Sequence, residues 1–403
     1  MTPVRFAHLI ESDGPGGAER MLASVATDLQ ASGSQTLVIA PARGEGWLAR
    51  ELSGTGVQLE LFHLDRPFSP PFARWLADVF RRHRITLAHS HEFTMAVYGA
   101  WAARRAGIPH VITMHGSRYY VGRVQRRIAM RLAVQVSTAT VAVSGSLSRH
   151  LTRDLWLRPS RVVTIPNGVR LPPPPPLSAG PSTLRGELGL QSTDQLVVAI
   201  GNLYPVKGHG VLLEALALLA PRFPRLHVAI AGRGELELPL QRRAAELQLS
   251  DRFHLLGLRS DVANVLAGAD LFVLPSLSEG VPLALLEAML TARPVVASAV
   301  GEVPTVLDDG RAGALVPPSD PPALATALEE LLSTPGRAQA LSAAARARAS
   351  ALYTFDVMMD AYRAVYAQAL RNHPDDARAE GIRQAQRQTF PEDRPPGKRA
   401  LVR

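Results

Sequence analysis

The feature that most constrains the fold is an alternation, in two series, of short runs rich in Val, Ile and Leu with segments of helical periodicity. Short apolar runs of this kind are typical of strands buried on both faces, as in parallel sheets. The first series predicts strands at Val4–Ile10, Thr36–Ala40, Leu87–His89, Val111–Thr113, Ala139–Val143 and Val162–Ile165. The second predicts strands at Leu196–Ile200, Leu226–Ala231, Phe253–Leu256, Leu271–Leu274 and Pro294–Ala297.

Helical patterns fill the intervals between these runs. Met21, Val25 and Leu29 recur at a spacing of four, and Gly33 follows as a helix stop. Val211–Ala220 is a comparable stretch in the second series. The chain therefore reads as an α/β protein with two doubly wound parallel-sheet, Rossmann-like domains.

A segment with five consecutive prolines at 172–176 separates the two series. Such a run cannot join a sheet and favours extended polyproline, so it predicts an interdomain linker. The predicted organisation is an N-terminal domain at 1–170, the linker at 171–190, a C-terminal domain at 191–350, a closing helix at 351–370 and a disordered tail at 371–403.

Composition excludes several classes of protein. The chain has no cysteine, which rules out a disulfide framework, a thiolate metal site and a cysteine nucleophile. The opening residues hold too short an apolar run for a signal sequence, and no run of ~18 apolar residues follows. We expect a cytoplasmic protein that is at most peripheral on the inner face of the membrane.

The formal net charge of +9 is unevenly distributed. Residues 1–165 hold 20 Lys and Arg against 11 Asp and Glu, whereas residues 166–370 hold 16 against 19. Such asymmetry predicts an anionic partner: nucleic acid, acidic lipid headgroups or a phosphorylated acceptor. Because no nucleic-acid motif accompanies the charge, we expect no nucleic-acid partner.

The densest motif is LPSLSEGVPLALLEAMLTARPVVAS at 274–298. A strand ends at Leu274, and Pro282 stands where a helix would begin, a position that suits proline. Free amides at a helix start bind phosphate, and Gly280 permits close backbone approach. Glu279 and Glu287 would then lie ~12 Å apart, near the sugar-to-ribose span of a nucleotide sugar. Two solvated glutamates on a packed helix would show the same spacing.

A second motif is IGNLYPVKGHGVLLEAL at 200–216, where a loop carrying Lys207 and Gly208 joins a strand to a helix. Such a loop can present a lysine to phosphate oxygens. The P-loop pattern is absent, and a plain surface lysine would look the same.

A glycine-rich turn follows the first strand, in IESDGPGGAERML at 10–22. Glu19 stands where the third glycine of a dinucleotide fingerprint belongs, so NAD binding is disfavoured. Gly16 and Gly17 remain candidates for a loop near phosphate or sugar, and a simple tight turn is the alternative.

Three histidines cluster at the ends of predicted strands: His89, His91 and His115. No fourth ligand is placed for zinc, so we predict no metal and expect these side chains to line a cleft at the carboxyl ends of the strands.

Residues 120–133 form an amphipathic pattern. Tyr120, Val124, Ile128 and Leu132 share one helical stripe, and Arg123, Arg127 and Arg131 share the next. Such a helix can lie on an anionic membrane or bind an acidic acceptor, or it can cover a core while its arginines face water.

Together these motifs resemble the retaining glycosyltransferases of family 4, over nearly the whole chain up to about residue 370. The most specific element is the glutamate pair within SEGVPLALLEAM at 278–289. The other matching segments, in the same order as in the family, are GGAE at 16–19, TMHG at 113–116, VAVSGSL at 141–147, IPNGV at 165–169 and PVKG at 205–208.

The resemblance implies a GT-B architecture, two Rossmann-like domains facing across a cleft, and a nucleotide diphosphate sugar as co-substrate with no further cofactor. It implies that Glu279 contacts the donor sugar, Glu287 the ribose and Lys207 the diphosphate. Donor binding would also involve Asn202, Gly280, Val281, Pro282 and Leu283, with Gly16 and Gly17 closing over the donor. His115 would face the transferred sugar.

The reaction implied is transfer with retention to an unknown acceptor, in polysaccharide or glycolipid biosynthesis. Lys207, the amides of 281–283 and the helix dipole can stabilise the departing diphosphate without a metal, in agreement with the absence of a D-x-D motif. A lipid-linked acceptor and reversible contact with an anionic membrane would account for the basic N-terminal half.

Two departures from the family pattern bear on activity. Asn202 stands where arginine is usual, which removes a phosphate-binding cation. Stabilisation of the departing diphosphate would then depend more heavily on Lys207 and the helix start. Thr305 stands where glutamate is frequent. Two rival functions remain: a nucleotide-sugar epimerase on the same fold, for which the histidines could serve as acid and base, and a non-catalytic nucleotide-sugar-binding protein, for which Asn202 is the only hint.

Overall fold

The computed structural model describes residues 3–44, 46–64, 69–116, 122–170 and 183–372. These residues form two compact units: Met1–Ile165 with the chain from Met359 onward, and Pro166–Met358. Most of the predicted linker and nearly all of the predicted tail lie outside the described residues.

The first unit is built on a seven-stranded parallel sheet of order β3-β2-β1-β4-β5-β6-β7. Its strands are β1 Arg5–Leu9, β2 Gln35–Pro41, β3 Gln58–Phe62, β4 Leu87–His91, β5 His110–Met114, β6 Ala139–Ala142 and β7 Val162–Thr164. Its helices are α1 Gly17–Ala31, α2 Trp47–Glu51, α3 Pro70–Arg82, α4 Glu92–Ala106, α5 Val124–Val136 and α6 Gly145–Asp154.

The second unit is built on a six-stranded parallel sheet of order β10-β9-β8-β11-β12-β13. Its strands are β8 Gln195–Ile200, β9 Leu226–Ala231, β10 Phe253–Leu255, β11 Leu271–Leu274, β12 Val295–Ser298 and β13 Ala314–Val316. Its helices are α7 Leu184–Glu187, α8 His209–Leu219, α9 Glu237–Glu246, α10 Val262–Gly268, α11 Leu283–Leu290, α12 Val303–Val306, α13 Pro321–Ser333 and α14 Pro335–Leu352.

A last helix, α15 Phe355–Arg371, begins in the second unit and continues into the first. In the first unit its tyrosines cover buried polar groups of the sheet. The Tyr366 hydroxyl lies 2.8 Å from Nδ1 of His89, and the Tyr362 hydroxyl lies 3.1 Å from Oγ1 of Thr113.

Local chemistry fixes several helix ends. The Ser69 hydroxyl accepts a hydrogen bond from the Phe72 amide at the start of α3, where Pro70 occupies the first turn. The Ser144 hydroxyl accepts one from Leu147 in the same way at α6. Helix α4 ends at Gly107, whose φ of +67° suits glycine.

Both sheets reverse their strand order beside their first strand, between β1 and β4 and between β8 and β11. Ligands of doubly wound folds bind at such a switch point, outside the carboxyl ends of the strands. The loops that follow β1, β4, β8 and β11 are therefore where functional side chains are expected.

The α/β class with two parallel sheets is confirmed, and each of the eleven strands predicted above is present with small shifts at its ends. Two strands escaped prediction. β3 is an edge strand in which polar and apolar residues alternate, and β13 has only three residues. β3 lacks the continuous apolar run that identifies a strand buried on both faces, and the apolar run of β13 is too short to stand out.

Among the described residues, none of the helices combines the length and the apolar character that crossing a bilayer requires.

Candidate active site

Two loops of the second unit meet at its switch point. They follow the neighbouring strands β8 and β11, and the Leu277 amide donates a 2.8 Å hydrogen bond to the Val206 carbonyl. Gly208 has a φ of +65°, and a Cβ there would lie 2.0 Å from the carbonyl oxygen of Pro275. Only glycine therefore allows the two loops this approach.

The loop contact brings Lys207 and Glu279 together. The Lys207 ammonium donates a 2.7 Å hydrogen bond to Oε1 of Glu279, and the Ser276 hydroxyl donates a 2.6 Å bond to the same oxygen. The side chain of Glu279 is only 8% exposed, whereas that of Lys207 is 28% exposed. A buried carboxylate requires such partners, and Ser276 is one that the sequence did not single out.

Helix α11 begins next to this pair. It extends over Leu283–Leu290, with Pro282 as its N-cap residue. Gly280 is exposed, Val281 and Pro282 are buried, and Leu283 and Glu287 are half-buried. The first amides of an α-helix have no partner within the helix, so this end can accept an anion.

Gly301 lies against the backbone of Glu279. Its φ is +55°, and a Cβ there would lie 1.8 Å from the carbonyl oxygen of Glu279. Any larger residue would therefore clash with the backbone of this segment.

Asn202 lies in the loop after β8, next to the loop after β9. The Leu203 amide donates a 2.9 Å hydrogen bond to the Arg233 carbonyl, and a Cβ on Gly232 would lie 2.0 Å from the carbonyl oxygen of Gly201. Arg233 is an exposed residue at the same edge of the sheet. Sequence reasoning missed this cation, although its position between two glycines directly after a strand is a usable signal.

His209, the first residue of α8, contacts the same loop. Its Nε2 lies 3.3 Å from the carbonyl oxygens of both Gly201 and Asn202, and burial lowers its pKa to about 4. The neutral ring can therefore donate from Nε2 to this turn.

In the first unit, His115 lies directly after β5 and contacts the end of β4. Its Nε2 is 3.1 Å from Nδ1 of His91, and its amide donates a 3.2 Å hydrogen bond to Oε1 of Glu92. Burial lowers the pKa of His115 to about 4, so the ring is neutral at physiological pH. A neutral imidazole oriented in this way can donate one hydrogen bond and accept another.

Glu92 is a residue that sequence reasoning missed. It begins α4 with a φ of +66°, a strained conformation for a glutamate, and its side chain is buried. Burial, with a contribution from Glu11, raises its pKa to about 8, and Oε2 has no hydrogen-bond partner within the described part of the chain. Strain together with a buried, protonated carboxyl group is typical of functional positions.

Gly16 and Gly17 begin α1, Gly16 as the N-cap and Gly17 as the first helical residue. A Cβ on Gly16 would lie 2.4 Å from Oε2 of Glu19, the residue that replaces the third glycine of a dinucleotide fingerprint. The Glu19 carboxylate therefore folds back over the turn, and a side chain at residue 16 would require it to move.

The expectation that His89 and His91 line a cleft is wrong, because both are fully buried. Nε2 and Nδ1 of His89 bond to Thr113 and Tyr366. A ring nitrogen of His8 comes within 4.8 Å of those of His89 and His91, close enough for a shared metal ion. Metal ligation by His89 would require it to give up one of its two bonds.

Helix α5 differs from its predicted form. Its described start is Val124, and Tyr120 lies outside the described residues. Arg127 donates to the Asp154 carbonyl, and Arg131 donates to the carbonyls of Leu155 and Trp156. These arginines thus cap the end of α6, while the apolar stripe of α5 is exposed to solvent.

Two sequence families match this chain. The one described as Glycosyltransferase Family 4 matches residues 15–171, and the one described as Glycosyl transferases group 1 matches residues 182–348.

Individual proteins of known activity are similar as well. The chain is 31% identical over 316 residues to D-inositol 3-phosphate glycosyltransferase of Streptomyces scabiei, which covers 71% of this chain and 69% of that protein. It is 30% identical over 240 residues to UDP-Gal:alpha-D-GlcNAc-diphosphoundecaprenol alpha-1,3-galactosyltransferase of Escherichia coli, which covers 55% of this chain and 60% of that protein.

Among solved structures, Anabaena Alr3699/HepE in complex with UDP-glucose matches with a TM-score of 0.75 at 23% identity, over 90% of this chain and 99% of that one. At this identity the match establishes a shared fold.

Proposed function

This chain belongs to the glycosyltransferases of family 4, and we propose that it transfers a sugar, with retention and without a metal ion, from a nucleoside diphosphate sugar to a lipid-linked acceptor. The observation that carries the proposal is the convergence of Lys207 and Glu279 beside the start of α11.

On this proposal the second unit holds the donor. Lys207 and the first amides of α11 bind the diphosphate, because both present positive charge at one edge of the sheet. Glu279 accepts hydrogen bonds from hydroxyl groups of the sugar, and Glu287, one turn inside the helix, binds the ribose.

The transition state of such a transfer is oxocarbenium-like, with negative charge growing on the departing diphosphate. Lys207 is already held in place by Glu279, so it can stabilise this charge with little reorganisation. The dipole of α11 acts in the same direction. These groups supply the stabilisation that a divalent cation gives in other enzymes, which is our reason to propose a metal-independent reaction.

We assign His115 to the sugar that is transferred. Its ring is neutral and is oriented by His91, so it can hydrogen-bond a sugar hydroxyl without repelling a cationic transition state. Gly16 and Gly17 contribute backbone amides at the start of α1.

On the same proposal the first unit binds the acceptor. Residues 1–165 carry nine more basic than acidic residues, and α5 exposes Val124, Ile128 and Leu132. The relative from Escherichia coli is named for an acceptor linked to diphosphoundecaprenol. An acceptor at an anionic membrane surface would account for both the charge and the exposed apolar side chains.

The test is incubation of the purified chain with UDP-glucose, other nucleotide sugars and a bacterial lipid extract, measuring both free nucleotide and sugar incorporated into lipid. We expect both to rise together and to be lost in the Lys207→Ala/Glu279→Gln variant. An epimerase would convert the donor without releasing nucleotide, and a binding protein would leave it unchanged. Either result would overturn the proposal, and the similarity to glycosyltransferases already favours transfer over epimerisation.

A further inference from the structure

A cavity of about 810 Å³ opens in the first unit at the carboxyl edge of its sheet. It is bordered by α3, α4 and α5 and by the loops after β1, β2 and β3. The function proposed above assigns no role to this cavity. Its size lies within the range of about 300 to 1,000 Å³ that small-molecule sites occupy.

The walls of the cavity are mainly carbon. Phe93, Val97 and Trp101 follow one another along α4 at a spacing of four, so that this wall extends for ~12 Å. Phe62 and Leu64 at the end of β3 line it as well. A free sugar or a nucleotide needs hydrogen-bond partners along its whole length, which this wall does not offer.

Packing holds the walls in place. The ring of Phe72 lies 5.0 Å from that of Phe62 and 4.8 Å from that of Tyr98, measured between centroids. The Tyr98 hydroxyl accepts a 2.7 Å hydrogen bond from the Ser69 amide. The cavity is therefore a formed feature of α3 and α4, and a ligand does not have to open it.

Charged groups are concentrated near the first turn of α4. The Arg126 guanidinium lies 6.0 Å from the centre of the Phe93 ring, and Glu11 accepts a 3.0 Å hydrogen bond from the Thr94 amide. Arg43, just after β2, also lines the cavity. The cavity thus has a polar end with Arg126 and Glu11, and an apolar end near Trp101, which is 44% exposed.

Helix α5 connects the cavity with the exposed apolar surface. Gln125, Arg126 and Ala129 line the cavity, while Val124 and Ile128, on the adjacent face of the helix, are 64% and 49% exposed. The cavity and the exposed apolar side chains therefore lie on adjacent faces of one helix.

We propose that this cavity binds the hydrocarbon chain of an amphipathic acceptor whose phosphate group is held by Arg126. The inference rests on the proposed function, since it names the part of the acceptor that the first unit recognises. Shape and charge agree: Arg126 supplies a cation for a phosphate group, and the apolar wall of α4 can accept a hydrocarbon chain.

The test uses ligands of one chemistry and increasing length: inorganic phosphate, butyl phosphate, octyl phosphate and decyl phosphate, each below its micelle concentration. Binding to the full chain is measured by calorimetry. We expect affinity to rise by up to ~4-fold for each methylene that enters the cavity. A bromine at the end of the decyl chain should quench the fluorescence of Trp101, and the Trp101→Phe variant should lose that part of the quenching.

Two substitutions fill the cavity, Val97→Trp and Ala129→Phe, and Val136→Trp is the control on an exposed position of α5 outside it. Each filling variant should bind decyl phosphate at least ~10-fold more weakly, with inorganic phosphate and UDP-glucose bound as before. Arg126→Gln should weaken the binding of decyl phosphate but not the binding of decanol. A melting curve shows whether each filling variant folds. If one of them does not fold, the other still tests the inference.

Affinity that does not depend on chain length, or a folded filling variant that binds like the native chain, would overturn the inference. Sugar transfer to a soluble acceptor with no effect of chain length would sink the cavity inference and leave transfer standing. Binding that depends on chain length, in a protein that transfers no sugar, would support the cavity and overturn the proposed function.

Discussion

The ammonium group of Lys207 lies 2.7 Å from a carboxylate oxygen of Glu279, a residue 72 positions later in the chain. Neighbouring strands β8 and β11 place the two loops side by side, and Gly208 lets them touch. The pair keeps a cation fixed at the edge of the sheet before any ligand arrives. A preorganised charge of this kind stabilises a developing anion more effectively than a mobile one.

Lys207→Ala should mainly reduce turnover, by ~100-fold or more, because the charge on the departing diphosphate grows as the bond breaks. Steady-state kinetics at saturating donor measure this. Since the change leaves Glu279 buried with Ser276 alone, a melting curve must accompany the assay. Near-normal turnover in a folded variant would remove Lys207 from the mechanism.

Glu287→Ala should raise the Michaelis constant for the donor more than it lowers turnover. A contact with the ribose exists in the ground state and the transition state alike, so its loss weakens binding uniformly. The informative comparison is Glu329→Ala, on α13 of the same unit, which should leave both constants unchanged. A lower turnover with unchanged donor affinity would contradict a ribose contact.

Asn202→Arg should leave activity unchanged or raise it slightly, and it should partly restore an Arg233→Gln variant. Arg233 lies beside the Asn202 turn, held by the hydrogen bond between the Leu203 amide and the Arg233 carbonyl. We therefore expect its side chain to supply the charge that arginine at residue 202 would give. Kinetics of the two single variants and the double variant measure the coupling, and fully additive effects would show that Arg233 plays no such part.

The sequence reveals the sheets better than it reveals the site. Strands such as β8 and β11 are buried on both faces, so they appear as continuous apolar runs, whereas β3 at the sheet edge does not. The approach of Lys207 to Glu279 depends on strand order, which periodicity alone does not give. The motifs could be recognised only through their resemblance to a family.

Glu92 was beyond sequence reasoning for a different reason. A glutamate that follows the sequence His-Ser-His is expected to be solvated. Nothing in the neighbouring residues predicts the positive φ or the burial of Glu92. Arg127 and Arg131 of α5 gave the opposite error, because their periodic spacing predicted a basic face open to a partner. In the folded protein they bond to the carbonyls that end α6, a contact between segments about 25 residues apart.

Glu92→Gln should become more stable relative to the native chain as pH rises from about 5 to about 8. Burial raises the pKa of Glu92 from 4.5 to about 8, so between these values the folded state keeps a proton that the unfolded chain releases. Stability of the native chain then falls with rising pH, whereas glutamine has no proton to lose.

Thermal or urea unfolding of both proteins at pH 5, 6, 7 and 8 checks this. Glu51→Gln, at an exposed residue ending α2, is the matched control and should follow the native chain at every pH. A difference between Glu92→Gln and the native chain that stays constant across this range would show that Glu92 is ionised in the folded protein.

The last prediction concerns the membrane. Changing Val124, Ile128 and Leu132 together to glutamine should abolish co-sedimentation with vesicles that contain acidic lipid, because these side chains are 64%, 49% and 55% exposed and would insert among the lipids. Substituting the neighbouring arginines would be a poorer test, since Arg127 and Arg131 hold α5 to the end of α6. Binding should be reversible and weaken with salt, because basic residues attract the surface and three apolar side chains are too few for permanent anchoring.

The matched control changes three exposed leucines of the second unit, Leu218, Leu238 and Leu258, to glutamine and should sediment like the native chain. If the native chain stays in the supernatant at low salt, or the α5 variant sediments equally well, the exposed face of α5 does not meet a membrane and an acceptor in solution becomes the better hypothesis.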